Sequence, residues 1–334
     1  MSFTKRILMA VTVLFASVLP MRAQADTVIE VGYMPILPVS QLFVALENGW
    51  LEGDDVTVKL VQFQNGPAMV QALLAGQLDV AHFGIGPAMV ARAKGADIKV
   101  VAASIQEQIS LIALKDLAGY FETDPATAFA RFQADTGRKA VITTFPVGSV
   151  PETVLQYWLR KGIKVDPDQV EIIFQGAAQV QQALLTGAVD GAAILEPVVT
   201  SVLKKVEGSK VVAAGAQMFK GQPGAVMAVR EGLIAQHPDL VTRLVDAHKR
   251  ATAVLNDNPD QAVAAVQKYV GGGRMESETV LAALTASANS FVADPTQIVD
   301  GTREMHDFQL EIGTLKDEVD IDSLFDTSFY DGLK

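Results

Sequence analysis

The 334-residue chain contains no cysteine, and its 4 histidines, His82, His237, His248 and His306, stand far apart. Without cysteine there is no disulfide framework and no thiol that could carry a lipid anchor. The histidine positions do not follow metal-ligand spacing. The sequence therefore predicts no metal site and no disulfide-stabilised fold.

Recognisable enzyme motifs are missing as well. The stretch GIGPAM at residues 84–89 lacks the third glycine of a dinucleotide fingerprint. No phosphate-binding loop, nucleophile elbow or His-Glu-x-x-His motif occurs anywhere in the sequence. We therefore expect a protein that is not an enzyme, with no catalytic residue and no cofactor.

Basic residues are few, with 27 Lys and Arg against 38 Asp and Glu and a formal net charge of −11. An acidic surface repels nucleic-acid phosphates and anionic lipid, so nucleic acid is not an expected partner. Long apolar runs are also absent after residue 25, where no segment reaches the roughly 18 residues of a membrane span. We expect a soluble mature protein.

Residues 1–25 are typical of a secretory signal peptide. They begin with Lys5 and Arg6, continue through an apolar run to Leu19, and end on the small-residue pattern Ala23-Gln24-Ala25. An uncleaved anchor is the alternative. The expected mature chain begins near Asp26 and resides in the periplasm.

One sequence pattern occurs twice, as ALLAGQLDVA at residues 72–81 and ALLTGAVDGA at 183–192. Each copy reads as an amphipathic helix end, a glycine turn and an aspartate that opens a short buried strand. The alternative is coincidence in an alanine-rich chain. As a true repeat, it predicts two similar α/β lobes.

Strand and helix patterns alternate along the rest of the chain, which predicts an α/β fold. Each lobe should contain a mostly parallel sheet flanked by helices. We expect lobe 1 to comprise residues 26–107 and 220–334, and lobe 2 residues 108–219. Two chain crossings, near 104–110 and 213–225, would form a hinge.

Ligands of such sheets bind in the loops that follow the carboxyl ends of the strands. Polar groups beside apolar and aromatic ones in those loops suit a small amphiphilic solute. The candidate ligand-binding residues are Met34, Pro35, Ser40, Gln41, Phe63, Asn65, Gly66, His82, Phe83, Gly84, Ile85, Val147, Gly148, Ser149, Glu196 and Pro197.

Three of these candidates have structural alternatives. His82 would either touch ligand or pack in the interior, and Glu196 would either receive a ligand donor or cap the next helix. Ser149 begins a helix whose free N–H groups suit an anion, although capping alone explains it equally well.

Four stretches together resemble a known family: VGYMPILPVSQLFVALENGWLE, ALLAGQLDVAHFGIGPAMVARAKGADIKVVAA, GSVPETVLQYWLRKG and GAVDGAAILEPV. They look like the ABC-transporter solute-binding proteins of the nitrate, sulfonate and taurine type, which include binders of pyrimidine thiamine precursors. The likeness runs from about residue 28 to 245. It implies ligand loops at Met34–Pro35, Asn65–Gly66, Phe83–Ile85, Gly148–Ser149 and Glu196.

The resemblance implies a monomeric periplasmic receptor with the two-lobed fold of a type II periplasmic binding protein. Such a receptor closes on a small solute and delivers it to a membrane permease. A taurine-like or sulfonate-like amphiphilic acid is the first expectation, and a pyrimidine thiamine precursor is the alternative. An enzyme resembling pyrimidine synthases is less favoured, since those carry a cysteine-rich motif. Two departures stand out: an added stretch at residues 120–137, which either covers the cleft or decorates lobe 2, and Glu196, which favours a ligand with a donor group.

Overall fold

The computed structural model describes residues 27–51, 53 and 56–334. The expected signal peptide lies outside these residues. Among the helices of the described ranges, none has both the length and the apolar character needed to cross a membrane.

Strands and helices alternate through the first two thirds of the described chain, and helices dominate the remainder. The strands are β1 (Thr27–Tyr33), β2 (Val56–Gln62), β3 (Val80–Gly84), β4 (Ile98–Ala103), β5 (Ser110–Ala113), β6 (Ala140–Thr144), β7 (Val170–Phe174), β8 (Gly191–Ile194), β9 (Lys210–Ala213) and β10 (Ala225–Arg230). The helices are α1 (Ser40–Glu47), α2 (Gly66–Leu74), α3 (Ile85–Ala93), α4 (Lys115–Ala118), α5 (Pro125–Thr136), α6 (Val150–Tyr157), α7 (Ala177–Thr186), α8 (Val198–Lys205), α9 (Gly215–Met218), α10 (Glu231–Gln236), α11 (Pro238–Asp257), α12 (Pro259–Tyr269), α13 (Ser277–Ala286), α14 (Val299–Glu311), α15 (Ile321–Leu324) and α16 (Ser328–Asp331).

The strands form two five-stranded sheets of the same design. The first has the order β2-β1-β3-β10-β4 and the second β7-β6-β8-β5-β9. In each, three neighbouring strands are parallel and the fourth runs antiparallel to both of its neighbours. Parallel strands joined by crossover helices require cover on both faces of the sheet, and this accounts for the apolar strands β3 and β8, whose residues are almost all buried.

The repeated sequence pattern has the same structural role in both sheets. Backbone N–H of Glu30 donates to Asp79 Oδ2 at 2.9 Å, and backbone N–H of Val141 donates to Asp190 Oδ2 at 2.8 Å. Each aspartate thus pairs with an amide on the neighbouring strand of its sheet, β1 for Asp79 and β6 for Asp190. Asp190 also receives both terminal nitrogens of Arg138, at 2.6 and 2.8 Å. The repeat is therefore a property of the scaffold: its aspartates join strands.

The chain passes between the sheets twice. The first passage follows β4 and leads to β5, and the second follows β9 and leads to β10. The passages contact each other, because the N–H of Glu107 donates to the carbonyl of Gln222 at 2.9 Å. The N–H of Ile109 donates to Gln222 Oε1, also at 2.9 Å. Two paired connections of this kind are the usual form of a hinge between lobes.

The added stretch at residues 120–137 forms α5 and the turn before it. Phe129 of α5 packs edge-on against Phe121 and Trp158, with ring centroids 5.3 and 6.5 Å apart. Both Phe129 and Phe132 are fully buried. The stretch thus belongs to the core of lobe 2. None of the described residues of α5 lines the cavity between the lobes, which is described in the next section.

Candidate functional site

A narrow cavity lies between the two sheets. Its walls come from the loops after the strands of both sheets, from the first turns of α3 and α6, and from the first crossing segment. The lining residues are Met34, Ile36, Gly66, Gly84, Pro87, Gln108, Phe145, Ser149, Val150, Pro151, Leu195 and Ala225. The cavity lies where ligands bind in open α/β sheets, at the carboxyl ends of parallel strands.

Two helices from different lobes begin beside this cavity and meet there. A Cβ atom placed on Gly86 in the first turn of α3 would lie 2.8 Å from the carbonyl oxygen of Gly148, which precedes α6. One placed on Gly84 would lie 2.9 Å from Val150 Cγ2. The lobes are therefore in contact, and glycine is required at both positions for the backbones to approach so closely.

Glutamine and threonine side chains bridge the lobes behind this contact. Gln309 of α14 donates from Nε2 to Thr153 Oγ1 of α6 at 2.8 Å, and both residues are fully buried. On the surface, Lys161 Nζ lies 2.8 Å from Glu311 Oε1. The buried bond contributes more to the closed arrangement, since exposed ion pairs contribute little.

Among the described residues, the cavity wall carries no charged side chain, and its polar side chains are Gln108 and Ser149. Ser149 caps α6, because its Oγ accepts from the N–H of Glu152 at 3.4 Å. Glu152 Oε2 in turn accepts from the N–H of Gly148 at 3.2 Å, so both of these amides are already paired. An anionic group in the cavity would be favoured by the helix dipoles and by the remaining first-turn N–H groups, and not by a basic residue.

Four predicted residues, Met34, Gly66, Gly84 and Ser149, line the cavity. Five others lie in the same loops without lining it: Pro35, Phe63, Asn65, Phe83 and Ile85. Asn65 caps α2 by accepting from the N–H of Ala68 at 2.9 Å, and Phe83 and Ile85 are fully buried. Contact between any of these residues and a solute remains a prediction.

Val147 and Gly148 face a neighbouring open groove of about 520 Å³, which is also lined by Pro67 and Val70 of α2. Pro87 lines both this groove and the cavity. Val147 is 51% exposed, an unusual state for a valine. These residues thus lie at the outer edge of the contact between the lobes.

Ser40, Gln41 and His82 lie elsewhere, inside lobe 1. Gln41 and His82 line a second, narrow cavity together with His248 of α11. Gln41 Nε2 donates to the carbonyl of Ser104 at 2.6 Å, and His248 Nε2 lies 2.6 Å from the carbonyl of Ala103. These contacts hold the end of β4, where the chain leaves lobe 1.

Both histidines of this cluster are buried and neutral. Burial lowers the pKa of His82 to about 3, with a further contribution from nearby His248. Burial also lowers the pKa of His248 to about 4, although its contact with the Ala103 carbonyl opposes the change. The sequence offered packing as the alternative for His82, and the packed position is the one observed.

Glu196 and Pro197 lie at the start of α8, next to the lining residue Leu195. The carboxylate of Glu196 accepts twice from Thr200, from the backbone N–H at 3.0 Å and from Oγ1 at 2.9 Å. Burial raises the pKa of Glu196 to about 7 and, similarly, that of Glu152 to about 7. Both carboxylates act as helix caps here, which was the structural alternative for Glu196.

The raised pKa of Glu196 predicts that the Glu196→Gln variant becomes more stable, relative to the parent protein, as the pH rises. The folded protein holds a proton on Glu196 between its ordinary pKa of 4.5 and about 7, so this residue's contribution to stability falls over that range. Relative to the parent protein, the variant should gain about 3 kcal/mol of unfolding free energy between pH 5 and pH 8. Urea unfolding at both pH values measures this.

Glu207→Gln, at an exposed position, is the matched control for the loss of one carboxylate. An equal stability difference from the parent at pH 5 and pH 8 for Glu196→Gln would contradict the assigned burial.

Eight lining residues were not among the sequence candidates: Ile36, Pro87, Gln108, Phe145, Val150, Pro151, Leu195 and Ala225. Most of these lining residues are close in sequence to a candidate, as Leu195 is to Glu196. The sequence therefore predicted the correct loops, but not which of their side chains line the cavity. Gln108 differs, because no local pattern distinguishes it.

Comparison with known proteins places the chain in a family. A model of the NMT1-like family matches residues 22–269, so the chain belongs to that family. A Bacillus subtilis protein provisionally named an aliphatic sulfonates-binding protein is 26% identical over 295 residues, covering 87% of this chain and 84% of its own length. The expected relationship to sulfonate-type binding proteins is thereby confirmed.

Solved structures show the same fold. The ligand-binding component of an ABC-type import system from Staphylococcus aureus, determined with zinc bound, has a TM-score of 0.76 at 21% identity, over 92% of this chain and 99% of its own. The alkanesulfonate-binding protein SsuA from Xanthomonas axonopodis pv. citri, bound to MOPS, has a TM-score of 0.75 at 17% identity, over 92% and 100%. The two-lobed α/β fold predicted from the sequence is confirmed.

Proposed function

We propose that this chain is the substrate-binding component of an ABC importer, and that it encloses a small organic acid of the sulfonate class between its lobes. Two similar proteins whose names refer to sulfonate binding support this class: the Bacillus subtilis protein and SsuA. The import role is supported by the fold shared with the Staphylococcus aureus component. The proposal assigns the chain no catalytic step.

The observation that carries the proposal is the uncharged cavity where α3 and α6 begin. The helix dipole favours an anion at such a position, and the first-turn N–H groups of Gly86 and Val150 can donate to it. A sulfonate carries one charge over three oxygens, each able to accept from a separate N–H. Met34, Ile36 and Phe145 supply an apolar wall suited to a short carbon chain.

A pyrimidine thiamine precursor is the second candidate, and Phe145 is the observation in its favour. This ring lines the cavity and is 3% exposed. A planar heterocycle could stack on it, and its ring N–H or amino groups could donate to the cavity's polar atoms. Such a ligand would make less use of the helix N-termini, since it carries no strong anion.

In the proposed role, the mature chain starts near Asp26, acts as a monomer in the periplasm, and presents the closed form to a membrane permease. Lobe 1 comprises residues up to 107 and from 220 onward, and lobe 2 the residues between them. Solute binding between lobes favours the closed population, because only that form contacts the solute from both sides.

A thermal-shift screen of the chain from Asp26 onward tests the proposal. The panel contains ethanesulfonate, taurine, butanesulfonate, pyrimidines, nitrate and bicarbonate. A ligand that binds only the folded state at a hundredfold excess over its Kd stabilises it by about 2.7 kcal/mol, so sulfonates should raise the Tm measurably. Stabilisation by pyrimidines alone would replace the sulfonate class with the second candidate. No shift with any panel member would contradict both.

A further inference from the structure

Gln108 is the cavity residue whose hydrogen bonding is incomplete. It lies in the first crossing segment, between β4 and β5, and lines the cavity between the lobes. Its Oε1 is buried from solvent and has no hydrogen-bond partner among the described residues. A buried acceptor left unpaired destabilises the protein. In a cavity wall, such an atom is available to a ligand that donates to it.

The backbone on the N-terminal side of Gln108 is held in an unfavourable conformation. Glu107 has a φ of 51°, in the left-handed region that a residue with a side chain rarely adopts. It is fixed there by two bonds to the second crossing segment. Its N–H donates to the carbonyl of Gln222 at 2.9 Å, and the N–H of Gly221 donates to its Oε1 at 2.7 Å. Strain that persists under such bonding is concentrated at functional sites.

Two glycines in the second crossing segment make room for this arrangement. A Cβ on Gly215 would lie 1.9 Å from the carbonyl oxygen of Glu107. A Cβ on Gly224 would lie 2.4 Å from the carbonyl oxygen of Ile105 and 3.1 Å from the side-chain amide carbon of Gln108. The side-chain amide of Gln108 therefore lies close to the backbone of Gly224, and the preceding residue, Glu107, lies close to the backbone of Gly215.

We propose that Gln108 is a specificity-determining residue that accepts a hydrogen bond from an N–H or O–H group of the solute. The inference rests on the proposed function and deepens it. The solute's anionic group lies at the starts of α3 and α6, and its donor group lies against Gln108 at the hinge. The substrate class is then a sulfonate or related acid that bears an amino or hydroxyl group.

This role differs from the one expected for Glu196. The Glu196 carboxylate accepts twice from Thr200, whereas Gln108 Oε1 has an unused lone pair on the protein side. A neutral amide oxygen can also accept from an ammonium, an amine or a hydroxyl group. A solute without a donor would leave Oε1 unpaired on closure, and rejection of such analogues is how buried polar groups produce selectivity.

Calorimetric titration with matched solutes tests this assignment. The probes are ethanesulfonate and its two donor-bearing analogues, taurine and isethionate, with propionate and β-alanine as the carboxylate pair. The parent should bind the donor-bearing member about tenfold more tightly, which corresponds to one retained hydrogen bond. Gln108→Met, similar in volume but without an amide oxygen, should bind both members of a pair within about twofold.

Gln106→Met is the matched control, because Gln106 belongs to the same segment without lining the cavity; it should keep the preference. If Gln108→Met fails to fold, Gln108→Asn, which withdraws the amide by one methylene, replaces it with the same expectation.

The outcomes separate this inference from the proposed function. Equal binding of ethanesulfonate, taurine and isethionate by the parent overturns the role of Gln108 and leaves the receptor proposal intact. A preference that survives in Gln108→Met overturns it in the same way. No binding of any probe overturns the inference together with the proposed ligand class.

Discussion

Gly86→Ala should weaken solute binding by about 10- to 100-fold, as expected for a strain of about 1–3 kcal/mol confined to the closed form. The new Cβ would lie 2.8 Å from the backbone oxygen of Gly148 on the opposite lobe. A backbone atom cannot rotate away as a flexible side chain can, so the lobes must separate to accommodate the methyl group. Calorimetry with the best solute from the thermal-shift screen measures the loss.

Gly232→Ala is the control for this substitution. Gly232 lies in α10, and a Cβ there would meet nothing within 4 Å. The affinity of Gly232→Ala for the solute should equal that of the parent. The thermal stability of both ligand-free variants should stay close to the parent value, because in Gly86→Ala an open form relieves the clash. Undiminished affinity in Gly86→Ala would mean that binding does not require the observed contact between α3 and α6.

The second large effect concerns acid stability and the buried histidines. The unfolded chain binds protons on His82 and His248 below their ordinary pKa of 6.5, while the folded protein excludes them until pH about 3 and about 4. Stability from these groups is therefore complete above pH 6.5 and is lost as the pH falls. At pH 5 each of the two histidines should lower the free energy of unfolding by about 2 kcal/mol relative to pH 8.

The two carboxyl groups with raised pKa values change the folding stability in the opposite direction over nearly the same pH range. Glu152 and Glu196 favour the folded state as the pH falls from about 7 toward 4.5. The parent's stability should consequently vary little between pH 6.5 and pH 5, because two groups gain what two others lose. Only variants that remove one kind of group expose the separate contributions.

His248→Gln removes one titrating group and keeps a nitrogen donor that can reach the Ala103 carbonyl. Its unfolding free energy relative to the parent should improve by about 2 kcal/mol between pH 8 and pH 5. His237→Gln, at a partly exposed position, is the control. If His248→Gln and His237→Gln respond equally to pH in urea unfolding, the low pKa assigned to the buried ring is wrong.

The sequence could predict those features that depend on local pattern. The alternation of strand and helix signals predicted the two-lobed α/β fold, and the repeated Ala-Leu-Leu segment marked equivalent positions in the two sheets. Glycine and proline at helix starts identified the loops that border the cavity, including Gly66, Gly84 and Ser149. These features depend on residues close together in the chain.

The parts that escaped prediction depend on which way a side chain faces or on contacts distant in sequence. His82 lies in a strand next to Phe83, and alternate strand residues face opposite sides of the sheet, so a correct strand did not reveal that His82 faces the interior. Gln41 is positioned by the carbonyl of Ser104, 63 residues away. The side chain of Gln108 lies against Gly224, which belongs to a segment more than a hundred residues later.

The central claim is that a small acid binds between the lobes with its anionic group at the starts of α3 and α6. A crystal structure of the protein with the solute that gives the largest thermal shift tests it most directly. The account predicts solute density enclosed by both lobes, with acidic oxygens within hydrogen-bond distance of the backbone N–H of Gly86 or Val150 in the first turns of α3 and α6. Density elsewhere, in the lobe 1 cavity beside His82 and His248 or on the outer face of α14, would contradict it.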